Sequence, residues 1–419
     1  MRILKSTTSR MKNINKNVKR DFQVIISQKF YDNIKHLLFI NRLIGLFPIA
    51  VTEKNGHYTL EWSWLKVIIT NVFVFLYATL TLIGLTLSYH VDVVYNVRLK
   101  GLSALMCTLA EIITLVSTWI IGQVYASFTF KEFWQYLIFL TKFDEVIGPL
   151  PPSKKIIVVV LMAYTFTFTC LGMDVYMWAQ IVVPEIGAFQ FIWQLVPFYF
   201  TYVFTVTMEV NIWITIHGIT ARARKLNNLI LHISYEDDSV FIVKFPTGPR
   251  KNLLQSNMLT SSMLRKFIAA YDSLAEANRA LVKFYGLSMI IMLGNVIVCL
   301  VITPYVLYQQ ILNAKDENFL FTQTYWMICH VLRLLFLVEP CHSGYTMGRE
   351  IRKTVTKLLS LDLPKVAYKQ AKILLMVINE NKIEFSAAGL ALIDRSLLPI
   401  IGSAVFTYLT ILFQYKNNS

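Results

Sequence analysis

Charge is what this sequence has least of: only 16% of its 419 residues are Asp, Glu, Lys or Arg, while 55% are hydrophobic. Soluble domains carry about 25% charged residues, so this composition, with a mean hydropathy of +0.52, argues for a chain that lives in lipid. The charge present is unbalanced, 40 basic against 25 acidic side chains, a net +15. In a soluble protein that excess would suggest nucleic acid; beside so much apolar sequence it reads as topological, and no nucleic-acid partner is expected. Cysteine is scarce too. Cys107, Cys170, Cys299, Cys329 and Cys341 are odd in number and lie in or beside apolar runs, so neither a disulfide framework nor a zinc site follows.

Catalytic signatures are missing as well. The chain has no Gly-x-Ser-x-Gly, no phosphate-binding glycine loop and no His-Glu-x-x-His. His217, His330 and His342 lack metal-ligand spacing and read as hydrogen-bonded core residues. Neither an enzyme, a cofactor nor a metal is expected. Internal repeats are missing, which weakens a transporter built from duplicated halves. The basic start (Arg2, Lys5, Arg10, Lys12, Lys16, Lys19, Arg20) leads into mixed sequence rather than a short apolar core, so it does not read as a signal peptide.

What is present is long apolar runs. About 20 mostly apolar residues cross the hydrocarbon, and seven stretches qualify: roughly 66–88, 103–126, 156–182, 190–217, 284–310, 321–347 and 397–415. The predicted class is an all-α membrane protein of seven transmembrane helices. Basic loops resist translocation. Segments 1–65, 127–155, 218–283 and 348–396 together hold 34 Lys and Arg, whereas the alternating segments hold four. The N-terminus is therefore expected in the cytoplasm and the C-terminus outside. That parity speaks against a G-protein-coupled receptor, as does the lack of Asn-Pro-x-x-Tyr in the last span; the Asp394-Arg395 pair precedes the last helix instead of ending the third.

This divides the chain into a cytoplasmic segment 1–65, a six-helix region 66–347 that includes cytoplasmic loop 218–283, cytoplasmic helices 348–396, and a final helix with a short outer tail, 397–419. The outer loops, about 89–102, 183–189 and 311–320, are too short to fold as a binding domain, so an external ligand must enter the bundle. On the cytoplasmic side, Leu253, Leu254, Leu264, Phe267, Ile268, Tyr271, Leu274 and Leu281 recur with helical spacing straight into the fifth span. Ile351, Val355, Leu358 and Leu359 continue the sixth, and Val366, Ile373, Leu374 and Val377 follow Pro364. These faces read as a cytoplasmic helical bundle, with the inner membrane surface as the alternative. Residues 234–252 read as a linker.

With orientation set, the outer helix ends carry Asp174, Trp178 and Gln180; Gln190, Trp193, Gln194 and Tyr199; Thr303, Tyr305, Tyr308 and Gln309; and Thr322, Gln323, Tyr325 and Trp326. For the aromatics an interfacial belt is the competing account. An acid facing lipid is costly, so Asp174 is expected to face a wet cavity or a partner. Gln323 and Trp326, three apart, present an amide and an indole on one helix face, which suits a small polar ligand. Glu111, Glu209, Arg333 and Glu339 also fall within spans and read as structural, with a Glu209 to Arg333 pair joining the fourth and sixth helices.

The last helix reads Thr407-Tyr408-Leu409-Thr410-Ile411-Leu412-Phe413-Gln414-Tyr415. Thr-Tyr, five mostly apolar residues, then Gln and an aromatic resembles the C-terminal signature of insect gustatory receptors, with Tyr415 where that family usually has Phe. His330-Val331-Leu332-Arg333-Leu334-Leu335, Val338-Glu339-Pro340-Cys341-His342 and Phe385-Ser386-Ala387-Ala388-Gly389-Leu390 resemble the branch containing the fructose receptors. The likeness covers most of 160–415. It implies a tetrameric ligand-gated cation channel in the plasma membrane of taste neurons, each subunit lending its seventh helix to a central pore. Gln414 and Tyr415, with Thr407 and Tyr408, would then form the gate region. A tastant pocket is implied among the outer halves of the second to sixth helices, with Gln323, Trp326, Trp193, Gln194, Asp174, Trp178 and Tyr305 as candidate ligand residues. Trp193 stands one position before the stacking Trp of sugar receptors, about 100° around the helix, so sugars, polyols, glycosides and bitter plant compounds all remain open. A co-receptor subunit and a secondary transporter are the rivals.

Overall fold

A computed structural model describes residues 23–44, 49–54, 57–90, 102–151, 153–235, 253–313, 317–361 and 363–417. The seven expected spans all appear as helices long and apolar enough to cross a membrane. They are α2 (Trp64–His90), α3 (Leu102–Ile147), α4 (Lys154–Ile186), α5 (Ala188–Tyr235), α6 (Leu253–Asn313), α7 (Glu317–Leu359) and α9 (Leu397–Asn417). Two small sheets and the helices α1 (Gln28–Ile44) and α8 (Lys365–Glu380) complete the described structure.

The N-terminal part forms one unit. Strands β1 (Gln23–Ser27), β2 (Ile49–Lys54) and β3 (His57–Trp62) make an antiparallel sheet in the order β1-β3-β2. Val24 pairs with Leu60, and Leu60 with Val51 on its other side, so alternate residues share one face. Val24, Ile26, Ile49 and Leu60 bury that face, and Phe30 and Leu38 of α1 are buried as well. Hydropathy reading had left this segment as undivided mixed sequence.

In the second unit the helices run well beyond a bilayer. Helix α6 has 61 residues, about 90 Å at 1.5 Å per residue, and α5 has 48. The stripe anticipated before the fifth span is buried at Leu264, Phe267, Tyr271, Leu274 and Leu281, with α6 unbroken through it. Ile351, Val355 and Leu358 likewise prolong α7 as a buried face. Helix α8 differs from expectation. It packs through Ala367, Ala371, Leu374 and Ile378, leaving Val366 and Ile373 exposed; alanines at that spacing admit the neighbouring helices more closely than the larger side chains would. The linker reading for 234–252 falls almost wholly outside the described residues.

Polar links hold the apolar bundle in register. Arg333 of α7 donates from Nη2 and Nε to Glu209 of α5 at 2.7 and 2.9 Å, so the expected pair exists and is buried. The same guanidinium donates to Asn295 Oδ1 of α6 at 3.1 Å, and Asn295 Nδ2 donates to Thr114 Oγ1 of α3 at 3.0 Å. Nearer the Lys- and Arg-rich end, Arg222 of α5 grips Asp144 of α3 through two bonds of 2.9 and 2.6 Å. The four described cysteines outside the α3 start, Cys170, Cys299, Cys329 and Cys341, are free and buried.

The Phe385-Ser386-Ala387-Ala388-Gly389-Leu390 segment is a two-residue ladder, β4 (Ser386–Ala387) with β5 (Ala391–Leu392), closed by left-handed Ala388 and Gly389. It presses on two helical glycines. A Cβ on Gly344 of α7 would meet the Phe385 ring at 2.5 Å, and one on Gly286 of α6 would meet the Ala388 backbone nitrogen at 2.9 Å. Beyond it, Arg395 donates to both carboxylate oxygens of Glu339 at 2.8 and 3.0 Å, tying α7 to the turn before α9. Helix α9 itself makes its main contacts with α6 and exposes Ile400, Phe406, Tyr408 and Ile411.

Two stability outcomes follow from these contacts. Arg333→Met strands a buried carboxylate and should cost about 3–5 kcal/mol, read as a large fall in melting temperature and surface yield of the detergent-purified protein. The double change Arg333→Met with Glu209→Leu should recover most of that loss; equal melting of Arg333→Met and wild type would refute the pair's role. Gly344→Ala overpacks against Phe385 and should cost about 1–3 kcal/mol, with adding Phe385→Leu restoring stability.

Candidate ligand cavity

Five helices bring side chains to one cavity in the second unit, at the end of the bundle away from Arg222. Thr108 and Glu111 of α3 are one turn apart, as are Phe198 and Tyr202 of α5, and Gln323, Trp326 and His330 of α7 share a face at helical spacing. Asp174 of α4 and Ile302, Thr303 and Val306 of α6 complete the wall. The atom-free space among these side chains, open solvent included, is about 460 Å³, but the enclosed part offers only about 20 Å³, room for a single water, so a larger ligand has to part the walls.

Asp174 organises the polar side of this wall. Only 1% exposed, it accepts from the Tyr199 hydroxyl at 2.6 Å and from the Trp326 indole Nε1 at 3.2 Å. These bonds give a buried carboxylate the partners that burial requires and fix the indole plane. Tyr202 lies with its ring centroid 4.9 Å from Trp326, and its hydroxyl donates to Glu111. The indole also stacks on His330, with ring centroids 5.5 Å apart. His330 in turn approaches Arg333 Nη1 at 3.4 Å, so the cavity floor rests directly on the buried ion pair. Among the described residues neither the Gln323 amide nor the Thr303 hydroxyl has a protein partner; both residues are largely buried, while their polar atoms keep contact with open space. A ligand offering hydroxyls would satisfy both, while Phe198, Tyr202 and Trp326 supply aromatic surface for its apolar faces.

Of the sequence candidates, the structure brings together Asp174, Gln323 and Trp326. Trp178 is buried nearby, against Met177, Phe191 and Phe319, and not on the cavity wall. Trp193 is half-buried and also off the wall; the side chain of Gln194 lies outside the described residues. Tyr305 is buried on a different side of α6 from Thr303. With Tyr308 it meets Phe413 of α9, at centroid distances of 6.4 and 4.5 Å. Thr407, Tyr408 and Gln414 are exposed along α9, and the Tyr415 side chain lies outside the described residues. Sequence reading missed Tyr202 and Phe198 and treated Glu111 as structural. The four-residue spacing of Phe198 and Tyr202 facing the Gln323 and Trp326 pair was the available signal. No group of His, Cys, Asp or Glu suited to a metal occurs among the described residues.

Comparison with known proteins agrees with this architecture. A family profile described as 7tm chemosensory receptor matches residues 34–419. The chain is similar to the "Gustatory receptor for sugar taste 43a" of Drosophila melanogaster, 24% identical over 430 aligned positions that cover 91% of this chain and 98% of the relative. Its fold is similar to that of the insect olfactory receptor OR5 of Machilis hrabei, with a TM-score of 0.60 at 12% identity, covering 91% of this chain and 97% of that one. The same receptor in complex with eugenol gives a TM-score of 0.57 at the same identity and coverage. The resemblance seen in the last helix and in the His330 to His342 stretch is thus borne out, and the family is one of receptors rather than enzymes. With its profile spanning all but the first 33 residues, the chain belongs to the seven-transmembrane chemosensory receptor family.

Proposed function

We propose that this chain is a gustatory receptor subunit acting as a ligand-gated nonselective cation channel, opened by a small polyhydroxylated tastant such as a sugar or polyol. The observation that carries the reading is the cavity in which Asp174, Gln323 and Trp326 meet, with an amide and a hydroxyl free of protein partners beside an indole. The sugar-taste relative supports the ligand class. The distribution of Lys and Arg supports a cytoplasmic N-terminus, an outer C-terminus and a cavity reached from outside, in the plasma membrane of a taste neuron. Segment 218–283 and helices 348–396 then form the cytoplasmic bundle.

Helix α9 is the pore helix on this reading. Only 6% of its apolar stretch Leu397–Gln414 is buried within the chain, which leaves most of an apolar helix for lipid and neighbouring subunits, and a homo- or hetero-tetramer around a central pore fits that exposure. Helix α6 links the two parts: Ile302, Thr303 and Val306 face the cavity while Tyr305 and Tyr308 meet Phe413. A ligand that binds one arrangement of α6 better than another shifts α9 by its difference in affinity. Gln414 and Tyr415, with Thr407 and Tyr408, carry the gate. Trp193, Gln194, Trp178 and Tyr305 remain supporting positions around the site.

A second reading, a receptor for a bitter or aromatic plant compound, is favoured by the aromatic wall of Phe198, Tyr202 and Trp326 and by the eugenol complex of the olfactory neighbour.

Whole-cell current from cells expressing this chain, with G-protein signalling blocked, tests the proposal against sugars, polyols, glycosides and bitter compounds. A current under the block is expected. Uptake of substrate without current would overturn it in favour of a transporter, and silence that a second receptor subunit relieves would reassign the chain as a co-receptor. Gln323→Ala should raise the half-maximal concentration about ten-fold or more, since a hydrogen bond of about 1.4 kcal/mol is lost. Trp326→Ala should abolish the response at normal surface level. Gln414→Ala should change leak or ion selectivity while leaving ligand sensitivity in place; unchanged conductance would remove Gln414 from the gate.

A further inference from the structure

A second concavity, of about 110 Å³ and open to solvent, lies between α6, α7, the end of α8 and the segment after it. It is far along α7 from the first, and its chemistry is opposite. Arg349 and Arg352, one turn apart on α7, line it with Lys382, and Glu384 is the acid among its walls. Tyr271 and Tyr345 form its aromatic sides.

The three cations are exposed at the rim of the concavity, and of them Arg349 is ordered by an aromatic ring. Arg349 lies over the Tyr345 ring, its guanidinium carbon 5.8 Å from the centroid. The adjacent acid Glu350 is engaged by Lys353 at 2.8 Å. Among the described residues neither Arg349 nor Arg352 pairs with a carboxylate, and Lys382 reaches Glu384 only at 4.0 Å. The backbone bearing Lys382 and Glu384 is pinned to α6: the Tyr271 hydroxyl donates to the Asn381 carbonyl at 3.0 Å, and Asn278 donates to the Glu384 carbonyl at 2.8 Å. A Cβ on Gly348 would sit 3.3 Å from Ile383 Cβ, so that segment also lies tight on α7. A solvated basic face would need neither a concavity nor a fixed backbone. Three cations around one concavity, two of them planar forks that bind paired oxygens, match the chemistry of phosphate oxygens.

We propose that this cavity binds a multiply phosphorylated anion, such as an inositol polyphosphate group, either free or as the headgroup of an anionic lipid. The inference goes beyond the receptor reading and takes from it only the orientation, which puts the cavity in the cytoplasm. Occupancy would join Arg349 and Arg352 to Lys382, and so tighten α7 against the segment leading through β4 and β5 to α9.

The test is direct binding to the purified full-length protein, without tastant. The probes are inositol hexakisphosphate added to protein in phosphatidylcholine nanodiscs, and nanodiscs containing phosphatidylinositol bisphosphate against others matched in charge with phosphatidylserine. Binding weakened about ten-fold or more by Arg349→Gln with Arg352→Gln, and also by Lys382→Gln, supports the site. The exposed pair Lys369→Gln with Lys372→Gln should leave it unchanged. Response to the soluble probe alone assigns a free ligand, and response to the bisphosphate discs alone assigns a lipid. No binding of either probe overturns the proposal, as does an equal loss in the Lys369 and Lys372 variant, which would mark diffuse charge attraction. Melting curves of all variants keep misfolding apart from loss of binding. Because no current is recorded, failure here leaves the receptor reading standing, and failure of that reading leaves this result intact.

Discussion

The Arg333 and Glu209 pair is the constraint on which the bundle's interior depends. Two opposite charges removed from water are tolerable only with close geometry and with their remaining hydrogen-bonding capacity met. Here Arg333 meets Glu209 through Nη2 and Nε, and Asn295 and His330 take further positions on the guanidinium. Asn295 then reaches Thr114. The consequence is geometric: α3, α5, α6 and α7 must each present one particular residue to one point. A helix that slid by one turn, about 5.4 Å, would leave a charge or an amide unpaired in the apolar core. Apolar packing alone tolerates exchange of similar side chains; this cluster specifies register.

The cavity inherits its shape from that register. His330 sits between Arg333 and the Trp326 indole, and Trp326 is turned by its bond to Asp174. Asp174, Trp326, His330, Arg333 and Glu209 therefore form an unbroken run of contacts from α4 through α7 to α5. Such a run has two ends that respond differently to change. The Glu209 end is closed by ion pairing, whereas the Asp174 end borders space and two unpaired groups, Gln323 and Thr303. Free energy from a ligand is thus available at the end where the helices are held by hydrogen bonds to Asp174 and Glu111 rather than by an ion pair. The more strongly bound layer stays fixed and serves as the floor.

Much of this was legible in the sequence because lipid makes polar residues expensive. Seven apolar runs fixed the spans, and a Glu and an Arg in the inner halves of two of them implied each other as partners. The Gln323 and Trp326 spacing placed an amide and an indole together for the same reason. Aromatic residues carry no such penalty, which is why Tyr202 and Phe198 stayed hidden: in a chain with 28 Phe and 21 Tyr, an aromatic on a cavity wall has the same local pattern as one in the core. Tyr305 failed in the opposite sense, since its position near a helix end suggested the ligand while its azimuth on α6 turns it to Phe413. The N-terminal sheet was missed although His57–Trp62 alternates polar and apolar residues beside its partner Ile49–Lys54; only Gln23–Ser27 lacks that alternation and pairs at a distance in sequence. For α8, larger apolar residues drew attention to one side while Ala367 and Ala371 did the packing.

The contrast between α7 and α9 bears on how a small ligand could act. Helix α7 carries the floor of the first cavity at His330 and the cations of the second at Arg349 and Arg352, and between them lie Arg333 and the close approach of Phe385 to Gly344. It is 43 residues long and anchored at several levels along its length. Helix α9 is held by far less within the chain: ring contacts of Phe413 with Tyr305 and Tyr308 near one end, and the exposed Arg395 to Glu339 bridge near the other. An exposed ion pair contributes about 0–1 kcal/mol, and ring pairs about 0.5–1.5 kcal/mol each. Those sums are comparable with the few kcal/mol by which a ligand can favour one of two arrangements. On the proposed reading the division of labour follows: the buried ion pair keeps the cavity constant, and the weakly held final helix is the element that a tastant's binding energy suffices to displace.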